Sequence, residues 1–138
     1  MTFTEIHGNL FDRKLEENEF YVHCISRDYA CGAGIAKEFN KRYNLTTRLK
    51  NEISEPSMRI DNVFNLVTKS KYWQKPTMIS LESTLRYLCE VQCSPLEVKT
   101  LVMPRIGCGL DKLKWNNVKK LIKEIFKNTH IAIEVYYL

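Results

Sequence analysis

Phe20-Tyr21-Val22-His23-Cys24-Ile25 is a nearly unbroken apolar run of strand length. A strand with one solvated face alternates apolar and polar residues; this one does not, so it is expected to be buried on both faces. That demands a sheet covered by helices above and below, and it excludes sandwiches or meanders with an open face. The other segments agree. Phe3-Thr4-Glu5-Ile6 alternates as a short strand. Residues 60–67 read as another, with Ile60, Asn62, Phe64 and Leu66 against Asp61, Val63, Asn65 and Val67. Leu101-Val102-Met103 and Ile131–Leu138 complete the strand set, the latter dense in β-branched and aromatic residues.

Between these runs the period changes to that of a helix. Ile35, Ala36, Phe39 and Tyr43 recur at helical spacing, and a second helical stretch is expected over roughly Leu45–Ile53. Ser54-Glu55-Pro56-Ser57 is a breaker. Over Thr77–Cys93 the residues Met78, Leu81, Leu85, Leu88, Cys89 and Gln92 share one face, with Thr77 placed to cap the start. Trp115, Val118, Leu121, Ile122, Ile125 and Phe126 form a strong stripe, with Lys119, Lys120, Lys123 and Lys127 opposite. Strands and helices alternate without repeats or low-complexity linkers. The expectation is one α/β domain over residues 1–138, its helices on both faces of the sheet.

Bulk properties narrow the class. At 138 residues and 44% hydrophobic content, the chain can build a real core. No stretch reaches the roughly 18 apolar residues of a membrane span, and Met-Thr-Phe-Thr-Glu-Ile-His lacks the pattern of a secretory signal. Five cysteines, an odd number in apolar or glycine-rich settings, suit free thiols in a reducing compartment. Cys89 and Cys93 lack a second ligand pair, so no metal is expected, and no motif calls for a cofactor. An intracellular monomer, cytoplasmic or nuclear, follows as the expectation. The net charge of +5 permits a nucleic-acid partner, but spread lysines on solvated helix faces account for it as well.

The chemistry concentrates in two glycine loops, each after a strand. One is Leu101–Asp111, in which an apolar strand runs into Gly107-Cys108-Gly109 and then Asp111. The other is Cys31-Gly32-Ala33-Gly34-Ile35-Ala36, which opens a helix. Glycine lets backbone approach a ligand closely, and a helix start offers free N–H groups and a positive dipole end, which favour an anion. Neither loop fits the common lysine-headed phosphate loop or the dinucleotide fingerprint. His23, alone in its apolar strand, reads as a core residue. Gly8-Asn9 reads by itself as a plain turn. Tyr72-Trp73 either shapes the mouth of a site or packs on the neighbouring helix.

His23-Cys24-Ile25-Ser26, Gly32-Ala33-Gly34-Ile35-Ala36 and Met103-Pro104-Arg105-Ile106-Gly107-Cys108-Gly109-Leu110-Asp111 resemble the macrodomain family, and most closely its terminal ADP-ribose protein glycohydrolase branch. The resemblance extends over nearly the whole chain. It implies a three-layer α/β/α sandwich with a mixed sheet, and ADP-ribose and mono-ADP-ribosylated proteins as partners. It places the diphosphate on the backbone N–H groups of Gly32, Ala33, Gly34 and Ile35 and of Gly107, Cys108, Gly109 and Leu110, and adenine at Asn9, with Tyr136 stacking on it or lining its pocket. Leu10, Ser26, Ile106 and Leu138 complete the expected ADP-ribose contacts. The family commonly has aspartate where Asn9 stands; the amide oxygen can still accept a bond, without the charge. Thr68-Lys69 matches the branch's reactive lysine and Asp111 its paired acid, while Tyr72-Trp73 departs from the pattern.

The implied activity is removal of mono-ADP-ribose from acidic side chains, with O-acyl-ADP-ribose deacylation beside it. A free lysine, with a pKa of about 10.4, is protonated at neutral pH and becomes a nucleophile only once it loses that proton. Desolvation in a closed pocket can lower that value. An ADP-ribose-binding module without turnover, and removal of ADP-ribose from DNA bases, are the alternatives.

Overall fold

The computed structural model describes residues 1–138. A six-stranded sheet carries β1 (Thr2–His7), β2 (Glu19–Ser26), β3 (Ser57–Ile60), β4 (Val63–Lys69), β5 (Thr100–Pro104) and β6 (Ala132–Tyr137). The order across the sheet is β1-β6-β5-β2-β4-β3, parallel throughout except for the β3–β4 pair, so the sheet is mixed. β2 lies near its centre, and every residue from Glu19 to Ser26 except Cys24 is buried, as its composition requires.

Two helices, α1 (Gly34–Tyr43) and α2 (Leu45–Leu49), cover one face. Their core joins Phe39, Leu45 and Leu49 to Tyr21, Ile25, Val63 and Val102. The other face carries α3 (Met78–Tyr87) and α4 (Trp115–Phe126), where Leu81, Leu85, Val118, Ile122 and Phe126 pack on Phe20, Val22, Leu66, Leu101 and Met103. The two cores are built from alternate residues of the same strands.

Three boundaries differ from the sequence reading. Residues 60–67 are not one strand. Ile60 ends β3, Asp61 takes a left-handed φ of 51°, and Val63 starts β4 as the second arm of a hairpin. Asp61-Asn62 is the turn signal that the alternation masked. The helix expected over Leu45–Ile53 stops at Leu49, because Leu45 and Leu49 are its buried anchors and Lys50–Ile53 face solvent. The helix over Thr77–Cys93 is regular only to Tyr87; Leu88–Gln92 widens into a π turn, and Gln92 donates to the Ser57 carbonyl at 2.8 Å. Thr77 caps α3 in a reciprocal box with Ser80.

The parallel arrangement brings the carboxyl ends of β1, β2, β4, β5 and β6 to one edge of the sheet. In such sheets ligands bind at that edge. The loops leaving those ends carry nearly all the chemistry-bearing residues singled out above.

Candidate active site

A cleft of about 1420 Å³ opens along that edge. Every residue named above for a ligand lines it, from Asn9 and Leu10 through the two glycine loops to Tyr136 and Leu138, and so do Lys69 and Asp111. The two glycine loops meet: a Cβ built on Gly34 would lie 3.2 Å from Leu110 Cδ1. Gly34 and Gly107 hold left-handed φ values of 59° and 74°, so their identity follows from backbone geometry. Gly109 differs. Its φ is ordinary and a Cβ there meets nothing within 4 Å, so its small size leaves open space toward the cleft.

The amides of Gly32, Ala33, Gly34 and Ile35, and those of Gly109 and Leu110, donate to no backbone carbonyl. Those at the start of α1 add the positive end of a ten-residue helix. Backbone amides without a carbonyl partner, on two loops that line one cleft, are groups that can hold an anion without any cation. The loop 105–113 is itself fixed by Cys108 N–H to the Arg105 carbonyl (3.2 Å), Lys112 N–H to Gly109 (3.2 Å) and Leu113 N–H to Gly107 (2.8 Å), so the Cys108 amide, expected at the diphosphate, is already engaged within its own turn.

Lys69 ends β4. The β2–β4 register slips at this point: Ile25 faces Val67, but Ser26 faces Lys69, so β4 advances two residues while β2 advances one. Such a bulge re-aims a strand-end side chain. Lys69 Nζ donates to Asp111 Oδ1 at 2.6 Å, and the two side chains are only 14% and 16% exposed. The amine and the carboxylate form a sheltered ion pair in the lining of the cleft.

The nearby thiols offer no rival nucleophile. Burial pushes Cys24 up to about 12 and Cys108 up to about 11, so both remain protonated at neutral pH. All five cysteines are free. His23, fully buried, lies 2.5 Å through Nε2 from Asn65 Oδ1 and stacks on Phe39 with ring centroids 4.1 Å apart. Burial lowers it to about 4, so it is a neutral core residue and plays no part in the cleft.

At the other end of the cleft, the Tyr136 hydroxyl donates to Glu134 Oε1 at 3.1 Å. Arg13 joins Glu134 to Glu19 through contacts of 3.0, 2.8 and 2.7 Å, and its guanidinium holds Glu19 down at about 2. This ladder fixes the Tyr136 ring. Asn9 uses its amide oxygen to cap the turn Leu10–Asp12, accepting from Phe11 N–H at 2.9 Å. A ligand amino group would therefore use its second lone pair. Ser26 is buried, and its hydroxyl donates to Asp28 Oδ1 at 2.5 Å.

Asp28 was not singled out by sequence reading. It also accepts from Ala30 N–H (3.1 Å) and Tyr72 N–H (2.9 Å), tying the loop after β2 to the loop after β4. Burial opposes its charge, but these bonds, first that from Ser26, hold it below the usual carboxylate range. Its only sequence signal is an acid two residues past a strand-end serine, a local turn pattern. Arg42 and Arg105 were missed as well. Both line the cleft, over the rings of Phe11 (4.1 Å) and Tyr137 (4.4 Å).

The chain is 38% identical over 141 residues to the bovine ADP-ribose glycohydrolase OARD1, covering 98% of this chain and 91% of that protein. The human ADP-ribose glycohydrolase OARD1 is 37% identical over the same share of each.

The chain belongs to the macrodomain family.

Solved structures share the macrodomain architecture. The DarG macrodomain of Thermus aquaticus superposes with a TM-score of 0.83 at 20% identity, covering 99% of each chain. That of Mycobacterium tuberculosis DarG gives 0.84 at 19% identity over 99% of this chain and 98% of the other. Thermosipho africanus DarTG in complex with ADP-ribose gives 0.80 at 18% identity, with 98% of this macrodomain covering 41% of that chain. No family model matches the chain. The macrodomain sandwich implied by the loop motifs is the one observed, and no helix in it is long and apolar enough to cross a membrane.

Proposed function

We propose that this macrodomain is an ADP-ribose ester hydrolase that removes mono-ADP-ribose from glutamate and aspartate side chains, and that it also deacylates O-acyl-ADP-ribose. The observation that carries the reading is the sheltered Lys69–Asp111 pair at 2.6 Å, in a cleft lined by two glycine loops whose amides lack backbone acceptors. The names of the OARD1 relatives support an ADP-ribose glycohydrolase.

The diphosphate sits on the amides of Gly32–Ile35 and Gly109–Leu110, with adenine toward Asn9 and Tyr136. The distal ribose then lies over Lys69. Lys69 passes its proton to Asp111, and the freed amine attacks the anomeric carbon. The C–N bond forms as the ester C–O bond breaks, and the carboxylate of the modified side chain leaves. Asp111 gives the proton it received to the ring oxygen as the ring opens to an imine, and the amine's surplus proton leaves with the departing carboxylate, which becomes the acid. Asp111, again a carboxylate, then takes a proton from the attacking water, the water adds to the imine carbon, and Asp111 returns that proton to the amine as it leaves and the sugar ring recloses. The sum is one ester and one water giving a carboxylic acid and free ADP-ribose.

The test incubates the protein with glutamate-, serine- and thymidine-linked ADP-ribose, with and without borohydride. Release from the glutamate ester, with a reduced adduct on the Lys69 peptide, is the expected result. Lys69→Ala should lose both adduct and turnover and still bind ADP-ribose. The same ion pair favours a second reading, since an ammonium permanently held by Asp111 would leave a binding module. Tight ADP-ribose binding with release from none of the three substrates would make that the better account.

A further inference from the structure

The turn after Lys69 presents two large aromatic side chains to water, Tyr72 at 66% exposure and Trp73 at 67%. Its backbone is held at several points. Tyr72 N–H donates to Asp28 at 2.9 Å, Lys71 N–H to Gln74 Oε1 at 2.8 Å, and Gln74 N–H to the Lys71 carbonyl at 3.0 Å. Lys75 reaches across to the Leu110 carbonyl at 2.7 Å and so joins this turn to the glycine loop. Leu110 is itself 60% exposed. The aromatic pair is thus fixed at the lip of the cleft, within four residues of Lys69. Large apolar groups held in solvent on a pinned turn mark a contact surface. Lys71 and Lys75 flank them, and Lys71 forms no salt bridge.

Tyr72, Lys75 and Leu110 line the cleft together with Lys69 and Asp111, where the reading above puts the ester. We propose that Lys71, Tyr72, Trp73, Lys75 and Leu110 form the docking face for the carrier polypeptide, and that they select a modified carboxylate in an acidic stretch with an apolar neighbour. The proposal rests on the carboxylate-ester reading above. Two lysines complement one or two acidic side chains, whereas binding along a nucleic-acid backbone draws on many phosphate contacts. Trp73 and Leu110 supply the apolar contact, in the way aromatic side chains anchor other interfaces.

The experiment uses glutamate-linked ADP-ribosyl peptides that differ only in their flanks: acidic with one phenylalanine, or lysine and serine. Wild type and the Lys71→Ala/Trp73→Ala double variant are compared on both, on an O-acyl-ADP-ribose ester that has no carrier, and on a thymidine-linked single strand. Neither substituted side chain lines the cleft. Wild type should show a KM about tenfold lower for the acidic peptide, and the variant should lose that preference with kcat within about twofold. The small ester should be turned over equally by both proteins. An unchanged KM for the acidic peptide overturns the proposal. So does an equal loss on the small ester, which indicates a structural role, or a loss confined to the single strand, which indicates a nucleic-acid face. Failure of wild type to release ADP-ribose from any peptide removes the carboxylate-ester reading itself, and the carrier face with it.

Discussion

Gly109 and Gly107 stand two residues apart in one loop, and the structure gives them opposite fates. At Gly109 a side chain meets nothing within 4 Å and the backbone is unstrained, so Gly109→Glu should fold normally. It nevertheless sets a carboxylate over the amides that would hold the diphosphate. Two unit charges about 5 Å apart at an effective dielectric of about 20 repel by about 3 kcal/mol, which corresponds to a loss of about a hundredfold or more in ADP-ribose affinity. At Gly107 the φ of 74° disfavours any Cβ, and that Cβ would come 2.9 Å from Leu113 Cδ1. Gly107→Ala should cost about 2 kcal/mol from backbone strain and the contact, lowering Tm by roughly 6–10 °C. Calorimetric titration with ADP-ribose and a thermal melt on both variants separate the two effects. A Gly109→Glu protein with wild-type Tm and wild-type affinity would refute the anion site in this loop. A Gly107→Ala protein as stable as wild type would refute the strain argument.

Tyr136→Ala removes a ring that lines the cleft and should weaken ADP-ribose binding by about 1–3 kcal/mol if adenine stacks there. Tyr136→Phe, which keeps the ring and loses the bond to Glu134, should bind nearly as wild type, and titration of both variants checks it. Asp111→Ala should bind ADP-ribose yet fall about 10²–10⁴-fold in single-turnover release, the usual range for a lost acid–base group. Full release by that variant would remove the role. Burial lowers His23 to about 4 in the folded protein, against about 6.5 unfolded. The unfolded chain therefore binds more protons through that window, and stability is full above about pH 6.5 and declines as pH falls toward 4. Urea unfolding at about pH 7.5 and about pH 5 should differ by about 2 kcal/mol, and a flat profile would show that His23 is not neutral and buried.

The sequence alone determined the layering. An apolar β2 flanked by amphipathic segments admits few folds besides a covered α/β sheet, because burial on both faces leaves no solvent side to pattern. It also determined the two glycine loops, since a left-handed φ at Gly34 and Gly107 writes itself as glycine. Local devices that leave little periodic trace were not legible: the Asp61-Asn62 hairpin turn, the π turn at Leu88–Gln92, and the early end of α2 at Leu49. Where exposed residues carry no stripe, only packing decides where a helix stops. Long-range placement lay beyond the sequence for a different reason. Lys69 and Asp111 are 42 residues apart, and no pattern within either segment encodes their 2.6 Å contact. That contact depends on β2 lying between β5 and β4 and on the bulge opposite Ser26, which turns one strand end toward the loop of another. Asp28 was illegible for the same cause. Its partners Ser26 and Ala30 are local, but Tyr72 lies 44 residues away, and only tertiary structure brings a strand-end turn and a distant loop onto one carboxylate.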